Sequence, residues 1–119
     1  MATMKLDGHH TYCAMAGADL SAKLHYLAKL GTDGRIVLCG SGDKVLGSIF
    51  AVEPGTINTP VTLQTAGGGK VIAGAAIVAG VELQSDGNGA AITLSAGKSI
   101  GVAINGAAAA GEIIEYVRS

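Results

Sequence analysis

Tryptophan is absent from this chain of 119 residues, and only three tyrosines and one phenylalanine are present. That scarcity excludes a base-stacking platform, and it speaks against a glycan site, which is ordinarily walled by flat rings. Charge is sparse as well, at 14% of residues with a net of −1, and lysines and arginines stand singly. Without a basic run nothing displaces counterions from a phosphate backbone, so no nucleic-acid partner is expected. No apolar stretch approaches the ~20 residues that span a bilayer, so no membrane partner is expected either. Residues 1–11 carry no hydrophobic leader segment, so no secretory signal is expected and synthesis in a cytoplasm follows. Two cysteines, Cys13 and Cys39, are too few for a disulfide framework. They read as reduced thiols acting as small hydrophobes.

What remains is small, apolar and glycine-rich. Hydrophobic residues make up 49% of the chain, and with so few rings the core must consist of Ala, Val, Ile and Leu. The length suits one domain. Small side chains bury little area each, so assembly with other copies is expected to supply part of the stability. The 19 glycines point to many tight turns, since disordered chains are polar and charge-rich.

A degenerate repeat is the most informative pattern. Its first copy, residues 17–52, runs Gly17-Ala-Asp-Leu-Ser-Ala22, Leu24-His-Tyr-Leu27, Asp33-Gly34 and Val45-Leu-Gly47-Ser-Ile49. Its second, residues 74–117, runs Gly74-Ala-Ala-Ile-Val-Ala79, Val81-Glu-Leu83, Asp86-Gly87 and Ser99-Ile-Gly101-Val-Ala103. Leu20 matches Ile77, Leu24 matches Val81, Asp33-Gly34 matches Asp86-Gly87, and Leu46-Gly47 matches Ile100-Gly101. Two related half-units joined by a central segment follow.

Each half reads as short strands between glycine turns. Asp33-Gly34 and Asp86-Gly-Asn-Gly89 supply hairpin turns, flanked by the β-suited runs Ile36-Val-Leu38 and Ala91-Ile-Thr-Leu94. Val61-Thr-Leu-Gln-Thr65 and Lys70-Val-Ile-Ala73, separated by Ala66-Gly-Gly-Gly69, read as a further hairpin. Glu112-Ile-Ile-Glu-Tyr-Val117 is the last strand. The leucines at 20, 24, 27 and 30 fall at helical spacing, with Asp19 and Gly31 as caps. The short counterpart Val81-Glu-Leu-Gln84 argues instead for strand from Leu24 to Leu30. Ala107–Ala110, between Gly106 and Gly111, reads as a loop. The expected fold is mainly β: a small sandwich or barrel of two related halves in one domain, residues 17–119. Residues 1–16, with no clean period, are expected to form an extended N-terminal arm.

No motif carries catalysis. Gly97-Lys98-Ser99 looks like the end of a phosphate loop, but Ile92 stands where that loop needs its first glycine. Gly67-Gly68-Gly69-Lys70 has Val71 where a magnesium-binding hydroxyl belongs. His9, His10, Cys13 and His25 are the only metal-type group, and adjacent His9 and His10 would point opposite ways in an extended chain. Gly40-Ser41-Gly42 is a turn rather than a nucleophile elbow. The stretch from Asp86 resembles a calcium loop but has Gly97 at the twelfth position, where a glutamate is required. No catalytic, cofactor-binding or metal residue is therefore assigned, no cofactor is expected, and an enzyme is not expected.

Ala18-Asp-Leu-Ser-Ala-Lys-Leu-His-Tyr26, Leu30 through Asp33-Gly-Arg-Ile-Val37, and Val45-Leu-Gly47 resemble the first half of the tailed-phage capsid decoration (head cement) family. Val71-Ile-Ala-Gly-Ala-Ala-Ile77, Ile100-Gly-Val-Ala103 and Ala109-Ala-Gly-Glu-Ile113 are similar to its second half. The resemblance implies a structural virion protein on the outer capsid surface, often a homotrimer, that clamps and stabilises the major capsid protein lattice. It also implies an arm that adds a strand on the shell. The competing reading is a small carbohydrate- or host-surface-binding β module. A metal hydrolase rests only on His9, His10 and Cys13.

Overall fold

Short β-branched runs broken by glycine pair into two five-stranded antiparallel sheets, with one half of the chain in each. The computed structural model describes residues 10–52 and 55–118, the side chains of His10 and Ala66 excepted. The first half supplies β1 (His10–Met15), β2 (Leu27–Leu30), β3 (Ile36–Leu38), β4 (Gly47–Val52) and β5 (Pro60–Ala66). The second supplies β6 (Gly69–Ile72), β7 (Glu82–Ser85), β8 (Ala91–Thr93), β9 (Gly101–Ala103) and β10 (Ile113–Arg118). Their orders are β1-β5-β4-β2-β3 and β6-β10-β9-β7-β8. Each strand of the first sheet therefore has a counterpart in the second. The expected β fold of two similar halves is what the chain forms.

Backbone hydrogen bonds fix the correspondence residue by residue. Gly17 N–H donates to Ile36 O and Gly74 N–H to Ala91 O, both at 2.7 Å. Gly31 N–H donates to Arg35 O and Asp86 N–H to Ala90 O, both at 2.8 Å. The second pair corrects the repeat alignment: Asp33-Gly34 corresponds to Asn88-Gly89, not Asp86-Gly87, and Gly31 corresponds to Asp86. Likewise Tyr26, not Leu24, matches Val81, because each offers its carbonyl to the β4 or β9 residue Ile49 or Ala103. Leu24 lies in a turn, and the strand expected from Leu24 begins only at Leu27. A β strand needs a pairing partner along its length, and β4 reaches only Leu27 and Ala28.

Two further expectations need correction. The runs before and after Ala66 form no hairpin: β5 lies between β1 and β4, whereas β6 pairs with β10 in the other sheet. Gly67 and Gly68 both have positive φ (79° and 115°), and a Cβ on Gly68 would collide with the Tyr116 carbonyl, so this connection turns a corner between sheets. Of the expected arm, residues 1–16, only the part from His10 is described, and that part is paired in the first sheet. His10–Met15 is an edge strand paired along β5 from Thr11↔Gln64 to Met15↔Pro60. Its irregular polarity misled the reading, since an edge strand with exposed Thr11, Tyr12 and Cys13 need not alternate. Residues 1–9 lie outside the described residues.

The two cores are built on the same positions with redistributed volume. The first holds Ala16, Leu20, Ala28, Ile36, Ile49, Val61 and Leu63. The second holds the counterparts Ala73, Ile77, Leu83, Ala91, Ala103, Ile114 and Tyr116. Where Ala28 becomes Leu83 and Leu63 becomes Tyr116, the core gains volume; where Ile36 and Ile49 become Ala91 and Ala103, it loses volume. Close packing tolerates such compensated exchanges.

The halves are not independent. Leu27, Cys39 and Val45 of the first half belong to the second core. Leu27 N–H donates to Gly89 O (2.7 Å), Ile72 N–H to His25 O (2.9 Å), and Gly42 N–H to Ser85 O (2.8 Å). Arg118 Nη2 reaches back to Val45 O at 3.0 Å. One cooperative body results.

His25 stands out at this seam. Its φ is +71°, in the left-handed region that costs a side-chain-bearing residue about 1–2 kcal/mol. The second half has Gly80 at the matching position, with φ +90°. Burial, and then the Lys70 charge nearby, hold the imidazole below its ordinary 6.5. On acidification below pH 6.5 the unfolded chain therefore takes up this proton first, and folding stability falls. His25→Gly removes both effects, and Gly's extra backbone entropy offsets only part of the gain. Urea unfolding should find the variant about 1 kcal/mol more stable than wild type below pH 6.5, with the difference narrowing above it. A variant less stable throughout would contradict this account.

Candidate functional site

The loops that drew attention in the sequence are occupied by the protein itself. Around Gly97-Lys98-Ser99, the backbone N–H groups of Ser95, Ala96 and Gly97 converge at 2.7, 3.1 and 3.0 Å. They converge on Oε1 of Gln84, a buried residue of strand β7. That nest has an anion-binding shape, but the carboxamide oxygen fills it. Gly97 also packs directly on the backbone of Gly42. The Asp86 loop is likewise closed on itself. Asp86 Oδ1 accepts the N–H groups of Asn88 (2.7 Å) and Ala90 (3.0 Å). The Asp86 carboxylate thereby shapes a turn.

The proposed metal-type residues are not brought together among the described residues. Cys13 is exposed on β1, while His25 sits at the seam between the sheets. No group of three His, Cys, Asp or Glu side chains converges among the described residues. His9 lies outside them. Cys39 is buried, and burial first, then the neighbouring Asp43 carboxylate, push its thiol up to about 12. It stays protonated and is a poor nucleophile at neutral pH.

A polar cleft of about 550 Å³ lies at the seam, lined by Lys23, Tyr26, Lys29, Cys39 and Asp43 among others. Two of its charges are paired with each other. Lys29 Nζ donates to Asp43 Oδ2, which also accepts Gly40 N–H at 2.7 Å. The lysine bond and the amide together hold the Asp43 carboxyl below its usual range, and the same bond raises Lys29. Lys23 Nζ lies 4.9 Å from the Tyr26 ring centre, over the face that a sugar would use. A second recess of about 220 Å³ lies over His25, Ser48, Phe50, Gln64 and Lys70.

Sequence reasoning missed a surface. On β9 and β10, Val102 and Val117 are cross-strand partners and are 39% and 46% exposed. Ile113 and Ile104, each 53% exposed, extend the same apolar area, and Glu115 lies between Ile113 and Val117 opposite Lys70. The equivalent pair in the first half is Ser48↔Gln64, and it is buried (2% and 8%). Strand β6 covers it: a Cβ on Gly69 would lie 2.9 Å from Gln64 Cγ and 3.3 Å from Ser48 Oγ. The covered face is thus polar and the open one apolar, the reverse of what water favours for an isolated chain. The signal was hidden because short strands with apolar residues on both faces read as buried.

No protein-family model matches the sequence, and no curated protein matches it either. A solved structure does match in fold: the head fiber gp8.5 N base in bacteriophage phi29. The likeness has a TM-score of 0.69 at 20% sequence identity, and it covers 93% of this chain and 94% of that one. At that identity it speaks for the fold, and the fold is shared end to end. That neighbour is named as part of a phage head fiber, whereas the sequence resemblance points to a phage head decoration family.

Proposed function

We propose that this chain is a structural protein of a phage virion. It sits on the outer surface of the capsid, contacts the major capsid protein and stabilises its lattice, and works as a homotrimer. It acts by contact rather than by catalysis. The observation that carries this reading is the end-to-end fold likeness to a phage head protein, covering 93% of this chain. The decoration-family resemblance in the glycine-punctuated repeat points the same way.

The physical character of the molecule suits such a role. Its Gly97 and Asp86 loops are closed by internal hydrogen bonds, an ion pair spans its polar cleft, and part of its exposed apolar surface lies on the β9–β10 sheet face. Many modest contacts repeated around a shell give strong attachment without a deep pocket. Among the described residues β1 is an edge strand, and such an edge is suited to strand addition on a neighbouring subunit.

Sedimentation with purified heads that lack the protein tests the reading. The protein should co-sediment at a fixed ratio to the major capsid subunit, saturate, and raise the temperature at which the heads open. Heads that bind none at saturating protein would end the proposal.

A further inference from the structure

Among the described residues, the duplicated fold contains one interface between its halves and leaves the matching face of the second half, at Val102 and Val117, exposed. We propose that a second copy of this chain covers that open face head to tail, with its β1 edge laid on Val102 and Val117 as β6 is laid on Ser48 and Gln64. This deepens the self-association part of the proposed function, and names its surface.

The argument is register. β1 and β6 are counterparts: Tyr12 faces Leu63 as Gly69 faces Tyr116, and Met15 faces Pro60 as Ile72 faces Ile113. Inside the chain, Gly69 rests on Ser48 and Gln64, and Ile72 N–H donates to the His25 carbonyl at 2.9 Å. Carried over to the open face, Tyr12 of a second copy meets Val102 and Val117, and its Met15 N–H meets the carbonyl of Gly80. The side chains have changed to match. A bare glycine over a polar pair is replaced by a tyrosine over a valine pair, and Tyr12 and Met15 are themselves 44% and 50% exposed. Burying a Tyr against two Val side chains removes apolar surface on both copies.

A second, independent match lies one strand further. Within the chain, the hairpin 86–90 rests on β2, with Gly89 O accepting Leu27 N–H. The counterpart of Leu27 is Glu82, exposed on β7, and the counterpart of buried Ala90 is Arg35, on the hairpin 31–35. Where Leu27 N–H meets Gly89 O, next to Ala90, the matching contact between copies sets Glu82 beside Gly34 and the neighbouring Arg35. Glu82 accepts the Ser99 hydroxyl and Arg35 pairs weakly with Asp33 at 3.8 Å, and docking brings the opposite charges of Glu82 and Arg35 near each other. Gly34, at the tip of that hairpin, has open space around it, whereas its counterpart Gly89 is packed on Leu27 O. Because two different surfaces meet, the contact is heterologous, and it closes into a ring when the rotation allows, as a homotrimer requires.

Analytical ultracentrifugation of the whole chain tests this. Wild type should sediment as an oligomer at tens of micromolar. Val117→Glu and Tyr12→Glu should each weaken association by about tenfold or more. Val117→Gln, which installs the residue the first half carries at the matching position, should act in the same direction without a buried charge. The two glutamate variants mixed together should form a dimer that neither forms alone, because each retains the surface the other has lost. Thermal unfolding monitored by circular dichroism checks that each variant is folded. A monomeric wild type, an oligomer indifferent to either substitution, or a mixture that stays monomeric would overturn the proposal. Binding of wild type to heads, measured separately, tests the capsid reading whatever the outcome here.

Discussion

Gly101→Ala should destabilise the protein by about 3 kcal/mol or more, a large share of the roughly 5–15 kcal/mol that holds a domain folded. Gly101 lies in β9 between β7 and β10, opposite Leu83 on one side and Arg118 on the other. Its φ of +142° is one that a residue with a Cβ rarely adopts. A Cβ there would also overlap the Val117 carbonyl, a backbone atom that cannot rotate away. Strain and overlap add, and neither is relieved without parting β9 from β10. Gly47 is its counterpart in β4, and a Cβ there would overlap the Gln64 carbonyl, but its backbone is not in the left-handed region. Gly47→Ala should therefore cost about 1–3 kcal/mol, less than its partner. Urea midpoints of both variants check the order, and an unchanged midpoint for Gly101→Ala would refute it.

Leu27→Glu should do more than destabilise: it should divide one unfolding transition into two. Leu27 belongs to the first sheet by pairing, yet it is fully buried in the core of the second. Glutamate is what the second half itself carries at the matching Glu82, where the position is exposed. Placed in the seam it would be an unpaired buried charge, at a cost of several kcal/mol. That cost falls on the contact between halves and on the second core, to which Leu27 belongs, while the first core keeps all its members. Calorimetry should find one peak in wild type and two in the variant, with the second half melting first because it loses a core member. A single peak at the wild-type temperature would mean that the halves do not depend on Leu27.

Much of this architecture was legible in the chain, and the illegible parts share a cause. Gly17 and Gly74, Leu20 and Ile77, and Leu46-Gly47 and Ile100-Gly101 align because backbone approach and core depth constrain those positions in both halves. The intervening alignment slipped by two residues at Asp33-Gly34, since the second turn offers both Asp86-Gly87 and Asn88-Gly89, and only the hydrogen bond from Asp86 N–H to Ala90 O distinguishes the options. Exchanges such as Ala28 for Leu83 and Ile36 for Ala91 hide the core from comparison one residue at a time, because volume is conserved only in sum. Gly67 and Gly68 carry the same local chemistry whether a chain reverses in one sheet or crosses to another. Long-range pairing alone decides between them. The open face at Val102 and Val117 was unreadable for a related reason: exposure is a property of what lies above a strand, not of the strand.

That this chain is a phage-head protein working by contact can be tested most directly by imaging. Electron cryo-microscopy of heads assembled without the protein and then saturated with it should add β-rich density to the outer surface, at symmetry-related positions, with the two-sheet unit fitting inside. Heads whose surface is unchanged, under conditions where the protein is folded and in excess, would contradict the account.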